Sequence, residues 1–441
     1  MNGSSESEQE VINCRVQIES KPKKLIHLIK YSSKTLSNGL KVLVHEDPST
    51  PLATLNILYS VGARDESPDK TGFAHLFEHL MFGGSVNIPE YDSPLQLAGG
   101  DNNAFTNNDI TNYYLTLPAN NIETGFWLES DRMLSLAFSE KSLEVQRNVV
   151  VEEFKQRYLN QPYGDVWLLL RPLAYKVHPY QWATIGKEIE HITNATLEDV
   201  RDFFFRYYCP DNAIMTVAGG VKADEIFALA EKWFGEIQRA TPSRMPYPAE
   251  PKQTEYRELT VERDIPYSSL YRAYHMCSRL DEQFYSIDLL SDIMSRGRSS
   301  RLYNTLVKEK KLFSEINAYS TADFDRGLMI IEGKLVKGVE MADAEKAIDA
   351  ELSKICSELV TKEELEKVKN KVESTMEFSE MDLSGRALNL AIAEYMGDAN
   401  LVNTELGLYR KVTAEEIKAS AQEIFRKENC STLYYLSNRK N

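Results

Sequence analysis

The sequence predicts an α+β protein made of two homologous α/β-sandwich domains, each a mixed sheet covered by helices, joined by a Pro-rich linker. Three observations predict it. Strand-like and helix-like segments interleave through both halves of the 441 residues, a length suited to two or three domains. A segment with four prolines and no apolar periodicity, RATPSRMPYPAEPKQTE (239–255), lies just past the middle; such composition reads as linker. Finally, AHLFEHLM (74–81) aligns without gaps onto IDLLSDIM (287–294). Leu76 falls on Leu289, Phe77 on Leu290, Leu80 on Ile293 and Met81 on Met294. A shared apolar pattern, element order and central linker together argue for duplication.

The elements follow in order. Residues 1–24 are polar and read as a disordered tail, so the first domain is expected at 25–238. GLKVLVHED (39–47) and LATLNILYSVG (52–62) are apolar runs bounded by Pro, Gly and Asp, and read as strands. TGFAHLFEHLMFGG (71–84) reads as a helix that Thr71 can start and the two glycines stop. NNAFTNNDITNYYLTLP (102–118) reads as a turn and an alternating strand. Helical patterns follow at 121–138, 140–160 and 197–208, then a strand at 213–220 and a helix at 223–237. The second domain is expected at 256–441. It has strands near 257–277, a helix near 281–296, a helix beginning at 299–303 and strands near 315–334. Helices at 341–380, 384–396 and 413–427 and a strand at 431–437 complete it.

Composition excludes several classes. The 66 acidic residues outnumber the 51 basic ones, for a net charge of −15. Nucleic-acid and anionic-membrane binding need a basic footprint, so neither is expected. No run of about 18 apolar residues offers a membrane span. The first twenty residues lack the apolar core of a signal peptide. A cytoplasmic protein is expected, or a periplasmic one whose signal peptide has been removed. The five cysteines (Cys14, Cys209, Cys277, Cys356, Cys430) are scattered, with no CxxC pair. They do not read as a disulfide framework or a thiolate zinc site.

The chemistry concentrates in His75-Leu76-Phe77-Glu78-His79. Two of the chain's seven histidines fall in this pentapeptide. Positions i and i+4 share one helical face, so both imidazoles can approach one metal ion. Glu78 flanks the same face and can take a proton from water at that metal without being a ligand. A catalytic zinc site keeps three protein ligands and one open position. The run SLEVQRNVVVEEFKQRY (142–158) offers Glu152 and Glu153 as the third. In the repeat, Asp288 and Asp292 stand where the histidines stand and Ser291 where Glu78 stands, so no second zinc is expected. His27, His45, His191 and His275 have no spaced partners and read as structural or exposed. His178 reads as loop punctuation.

The segments GFAHLFEHLMFGGS (72–85), GGDNNAFTNNDITNYY (99–114), EVQRNVVVEEF (144–154), HPYQWATIG (178–186) and RYYCPDNAIMTVAGG (206–220) resemble those of the insulinase/pitrilysin zinc metallopeptidases (inverzincins). The resemblance is strongest to half-length members similar to mitochondrial processing peptidase subunits, and covers about Leu25 to Leu436. It implies a zinc endopeptidase with one Zn2+ per chain, held by His75, His79 and Glu153, with Glu78 as general base. It places 25–238 as the catalytic domain and 256–441 as a homologous domain without metal. Asn103, Ala104 and Phe105 are implied to border the cleft, where a peptide or unfolded segment adds as a strand. The family has an acidic residue seven positions before the third ligand; this chain has Gln146, which implies tuning of the site. Half-length members enclose substrate between two chains. An Arg/Tyr pair that holds substrate in the family falls here on Val307 and Ser314. A heterodimer with a paralogous subunit carrying that pair is therefore expected, with a homodimer as the alternative. A non-catalytic assembly subunit and a metal-binding scaffold without turnover are the competing readings.

Overall fold

The computed structural model describes residues 28–239 and 247–439. The expected tail at 1–24 and residues 240–246 of the linker lie outside the described residues. The first sheet contains β1 (Ser32–Thr35), β2 (Lys41–Glu46), β3 (Leu52–Tyr59), β4 (Asp101–Thr106), β5 (Thr111–Pro118) and β6 (Ala213–Gly219). Its spatial order is β1-β2-β6-β3-β5-β4. The second contains β7 (Arg257–Arg263), β8 (Ser269–His275), β9 (Phe313–Ser320), β10 (Leu328–Leu335) and β11 (Cys430–Ser437). Its order is β7-β11-β8-β10-β9. Without β1, the two orders superimpose strand for strand. The senses agree as well. β2 runs parallel to β6 and β7 parallel to β11, and every other pairing is antiparallel. The two sandwiches are copies of one topology.

Local sequence explains the strands. Every residue of β6 is buried, as expected of a central strand covered on both faces, and it reads AIMTVAG without polar alternation. In β5, Tyr113, Leu115 and Leu117 enter the main core of the first half. Asn112 and Thr116, one residue out of phase, face the other way.

The helices are α1 (Phe73–Leu80), α2 (Asp92–Leu97), α3 (Ile122–Leu134), α4 (Glu140–Phe154), α5 (Val166–Ala174), α6 (Ile189–Thr193), α7 (Leu197–Tyr207), α8 (Ala223–Phe234), α9 (Phe284–Ser295), α10 (Met341–Ser357), α11 (Lys362–Ser379), α12 (Leu383–Tyr395), α13 (Leu401–Lys411) and α14 (Ala414–Ile424). A π-helical turn, Lys155–Leu159, extends α4, and another spans Tyr303–Glu309. Thr196, Thr361 and Thr413 begin α7, α11 and α14 with reciprocal capping boxes.

Each sheet packs its own helices on one face. The other face is covered by a helix from the opposite half. α5 lays Val166, Leu170 and Ala174 on Tyr271, Ala273, Leu433 and Tyr435 of the second sheet. α12 lays Leu390 and Ala391 on Leu43, Leu58 and Ile214 of the first sheet. Thr216 of β6 donates to the Ala387 carbonyl of α12 at 2.8 Å. The halves are therefore interlocked. The sequence assigned no element to 166–174, where Pro172 sits inside the helix, and gave 384–396 to the second half without its destination. The described end of the linker is also docked. Glu250 is buried and accepts from the backbone N–H groups of Lys176, Val177 and His178 at 2.8–3.0 Å.

Candidate metal centre

α1 is only two turns long, and its surroundings hold it. Leu76, Phe77 and Leu80 are buried beneath it. The Phe77 ring stacks on Phe203 at 5.0 Å and on Tyr208 at 5.2 Å. From the aromatic clusters at 203–208, Phe204, Tyr207 and Tyr208 are core residues while Phe205 is exposed. Tyr113 of β5 donates to the Phe77 carbonyl at 3.3 Å. The helix starts at Gly72, whose φ of +88° is left-handed. A Cβ there would come within 2.7 Å of the Ile185 carbonyl, so glycine is required by both conformation and space.

With the apolar face of α1 down, His75 and His79 are left side by side, their ring centroids 4.9 Å apart. α4 crosses beside them, with Val150 and Phe154 buried. Glu153 Oε2 lies 3.6 Å from His75 Nε2 and 3.4 Å from His79 Nε2. One donor atom from each residue lies within 4.8 Å of the others, the only such group of three metal-binding side chains among the described residues. Glu152 points outward and pairs with Lys155 at 2.7 Å. The other Glu153 oxygen pairs with Arg157, one turn on, at 2.7 Å. Sequence reasoning did not single out Arg157, although its i+4 spacing from Glu153 was available as a signal.

The electrostatics suit a cation. Burial pushes the His75 imidazole down, keeping it in the neutral form that ligates metals. The His79 ring holds the Glu153 carboxyl below its usual range, with His75 and Arg157 adding to the effect. Burial pushes the Glu78 carboxyl up, opposed by the Thr106 hydroxyl and His79. That direction favours a group that must take and return a proton. His75 Nδ1 is buried with no hydrogen-bond partner among the described residues. Two imidazole nitrogens and one carboxylate oxygen are a common donor set for catalytic zinc, and these residues fit such an ion.

Thr106 ends β4, and β4 is the edge of the first sheet. Asn103, Ala104 and Phe105 lie on that edge. The Ala104 N–H is taken by the Asn103 side chain, Oδ1, at 2.8 Å. Gln146 lies one helical turn before Val150 and two before Glu153 on α4. Its amide nitrogen lies 3.8 Å from where a Cβ on Gly83 would stand, placing it beside the end of α1.

The equivalent helix in the second half, α9, holds no comparable group. Asp288 accepts from Tyr409 at 2.8 Å and from Ser320 at 3.1 Å. Asp292 is paired with Arg296 at 3.2 Å. Val307 packs on the second core, and the Ser314 hydroxyl donates to the Lys334 carbonyl at 3.1 Å. His178 is more than punctuation: it is buried, 3.4 Å from Asp325 of the β9–β10 loop. His45, His191 and His275 each bond a nearby group, Lys30, Thr71 and Ala174 respectively.

In sequence and fold the chain is similar to known proteins. Residues 41–173 match the model of the insulinase family (peptidase family M16), and residues 194–372 match the M16 inactive domain. The zinc protease PqqE of Helicobacter pylori is 33% identical over 351 residues, covering 78% of each chain. The chain belongs to the M16 peptidase family. A crystal structure of a protease from Helicobacter pylori superimposes with a TM-score of 0.88 at 28% identity, over 93% of this chain and all of that one. The periplasmic protease PqqL of Escherichia coli shares the fold at 20% identity. The match covers 92% of this M16 chain and 47% of PqqL, with a TM-score of 0.74. The chain thus spans about half the length of PqqL. No helix among the described residues is long and apolar enough to cross a membrane.

Proposed function

We propose that the chain is a zinc-dependent endopeptidase acting on peptides or unfolded polypeptide segments. The observation that carries this reading is the convergence of His75, His79 and Glu153 on one point, with Glu78 on the same helix beside the sheet edge. These three residues would hold one Zn2+. When bound, that ion supplies Lewis-acid polarisation and brings the pKa of water toward about 7. Glu78 takes the proton of the attacking water on its carboxylate and returns it to the leaving amine. The β4 edge at Asn103–Phe105 holds the peptide as an added strand, the Ala104 N–H exchanging its Asn103 partner for a substrate carbonyl. A folded substrate has already used its backbone groups, so unfolded segments are preferred. Gln146, beside α1, tunes the site without holding metal.

The second half brings no obvious substrate clamp, because Val307 is apolar and the Ser314 hydroxyl is already bonded. We therefore assign the working form as a heterodimer with a paralogous chain that supplies an Arg/Tyr pair, or otherwise a homodimer. The test is peptide hydrolysis by purified protein, with and without chelator, alone and mixed with the paralogue. Cleavage should require zinc, be weak for the single chain and rise many-fold on mixing. Chelator-resistant cleavage by a preparation free of other proteases would overturn the reading. Full activity from this chain alone would remove the heterodimer and leave the peptidase.

A further inference from the structure

Between β3 and α1, one tight turn, Ala63–Asp65, is followed by Glu66. Every side chain of the charged triplet Arg64-Asp65-Glu66 is committed to a different part of the molecule. Glu66 is 6% exposed. Its two carboxylate oxygens accept separately from Gly72 N–H and Ala74 N–H, each at 2.8 Å. These are donors at the first turn of α1, and Ala74 directly precedes His75. A short helix gains most from such a cap, since its free N–H groups and dipole are a large share of its backbone interactions.

Asp65 binds the turn to itself and to the linker. It accepts from Gly62 N–H at 2.9 Å and from the Tyr247 hydroxyl. Arg64 is 8% exposed and reaches the second half. Its Nη1 lies 3.0 Å from Asp325 in the β9–β10 loop, and its Nη2 donates to Tyr395 at the end of α12 at 2.9 Å. The same Nη1 pairs with Asp109 at 2.7 Å. Trp182 donates to the Ala63 carbonyl at 2.9 Å, closing the back of the turn.

We infer that Glu66 is a positioning residue for the metal helix, and that Arg64, in the same rigid turn, ties that position to the seating of the second half. The inference rests on the zinc-site reading of His75, His79 and Glu153. Glu66 touches neither metal ligand nor substrate. It fixes the height and tilt of α1 through two backbone bonds, and so the position of His75 and His79 relative to Glu153 on α4. A carboxylate is needed because both oxygens must accept; an amide offers one acceptor and turns donors toward an N–H group.

The experiment measures zinc affinity by chelator competition, and amide hydrogen exchange at Gly72–Ala74 in metal-free protein. It compares wild type, Glu66→Gln, Glu66→Asp and Asp325→Asn. Glu46→Gln is the control, since Glu46 makes a similar 2.9 Å bond to Ala223 N–H at the start of α8, far along the chain from α1. Glu66→Gln should stay folded by circular dichroism and bind zinc about tenfold to 100-fold more weakly, with faster exchange at Gly72 and Ala74. Glu66→Asp keeps the charge but is too short to span both amides, and should recover only part of the affinity. Asp325→Asn should weaken zinc severalfold although it lies in the other half. Glu46→Gln should lower stability and leave zinc affinity unchanged. Wild-type zinc affinity and unchanged exchange in folded Glu66→Gln would overturn the positioning role. Unchanged zinc affinity in Asp325→Asn would overturn the tie to the second half. If wild type binds no zinc, the metal-site reading fails, and the exchange measurement still decides whether Glu66 pins α1.

Discussion

Glu78 and Glu153 sit close together, yet their surroundings assign them opposite work. Glu153 has two histidines on one oxygen and Arg157 on the other, all favouring a fixed negative charge. Glu78 is driven the other way by burial. Glu78→Gln should therefore retain one zinc per chain while turnover falls about 10²- to 10⁴-fold, the usual contribution of a proton-transfer group; metal analysis beside a peptide assay checks both halves of the statement. Glu153→Ala should lose the metal. Glu152→Ala should keep metal and activity, because its carboxylate is spent on Lys155 at the surface. Loss of zinc on changing Glu152 but not Glu153 would reverse the assignment. Spacing alone brought His75, Glu78 and His79 to one face. It left Glu152 and Glu153 open, because adjacent residues on a helix differ by about 100° and only the packing of α4 says which faces α1.

At the scale of elements, α1 and α9 are copies with different interiors. Asp292 occupies the position of His79, and burial with Asp288 nearby pushes its carboxyl up to about 6 against the pull of Arg296. Its folded pKa is raised above the unfolded value of about 3.9. Between those values the unfolded chain releases its proton first, so this group lowers stability as pH rises from about 4 to about 6, and its full penalty remains above that window. Asp292→Asn should therefore raise stability at pH 7.5 by about 1–3 kcal/mol and change it little at pH 4, as read by urea unfolding at both values. An equal effect at the two pH values would contradict the buried-carboxyl account. The strand β4 makes a second prediction. Proline is tolerated where an edge N–H does not enter the ladder, and the Ala104 N–H is bonded to Asn103. Ala104→Pro should leave zinc binding intact and raise KM about tenfold for loss of a hydrogen bond worth about 1 kcal/mol or more. Unchanged KM would remove substrate from this edge.

The whole molecule is held by exchange. Sequence periodicity is local, so it located α12 but not the sheet beneath it. α12 covers the first sheet and α5 covers the second, each burying an apolar sheet face that its own half leaves bare. Neither half is complete alone. A chain nicked between Arg239 and Tyr247 should elute as a single particle of unchanged size, and either segment expressed alone should aggregate. Separation of the nicked chain into two soluble monomers would show that the exchanged helices contribute little. The Arg64–Asp325 ion pair and the buried His178 ring 3.4 Å from Asp325 lie along this seam and reinforce the same junction.

The sequence by itself determined most of the central strands and long helices, the duplication, the helix carrying H-x-x-E-H and the family to which these belong, but it read β4 as a turn and gave no element to β1, α2, α5, α6 or α13. The features it determined reside in short windows, where apolar spacing, turn residues and motif spacing act on neighbours. Spacing left Glu152 and Glu153 open and only the family resemblance named Glu153; the tertiary structure sets Glu153 beside the histidines and decided that Glu66 caps the metal helix. It also decided that α5 and α12 change sides and that His178 is buried in the seam. Arg64 and Asp325 are 261 positions apart, and α12 is separated from β3 by most of the chain. Such partners leave no period in the sequence. They are chosen when the two sheets bury their remaining apolar faces, and the charged groups carried along must then find one another.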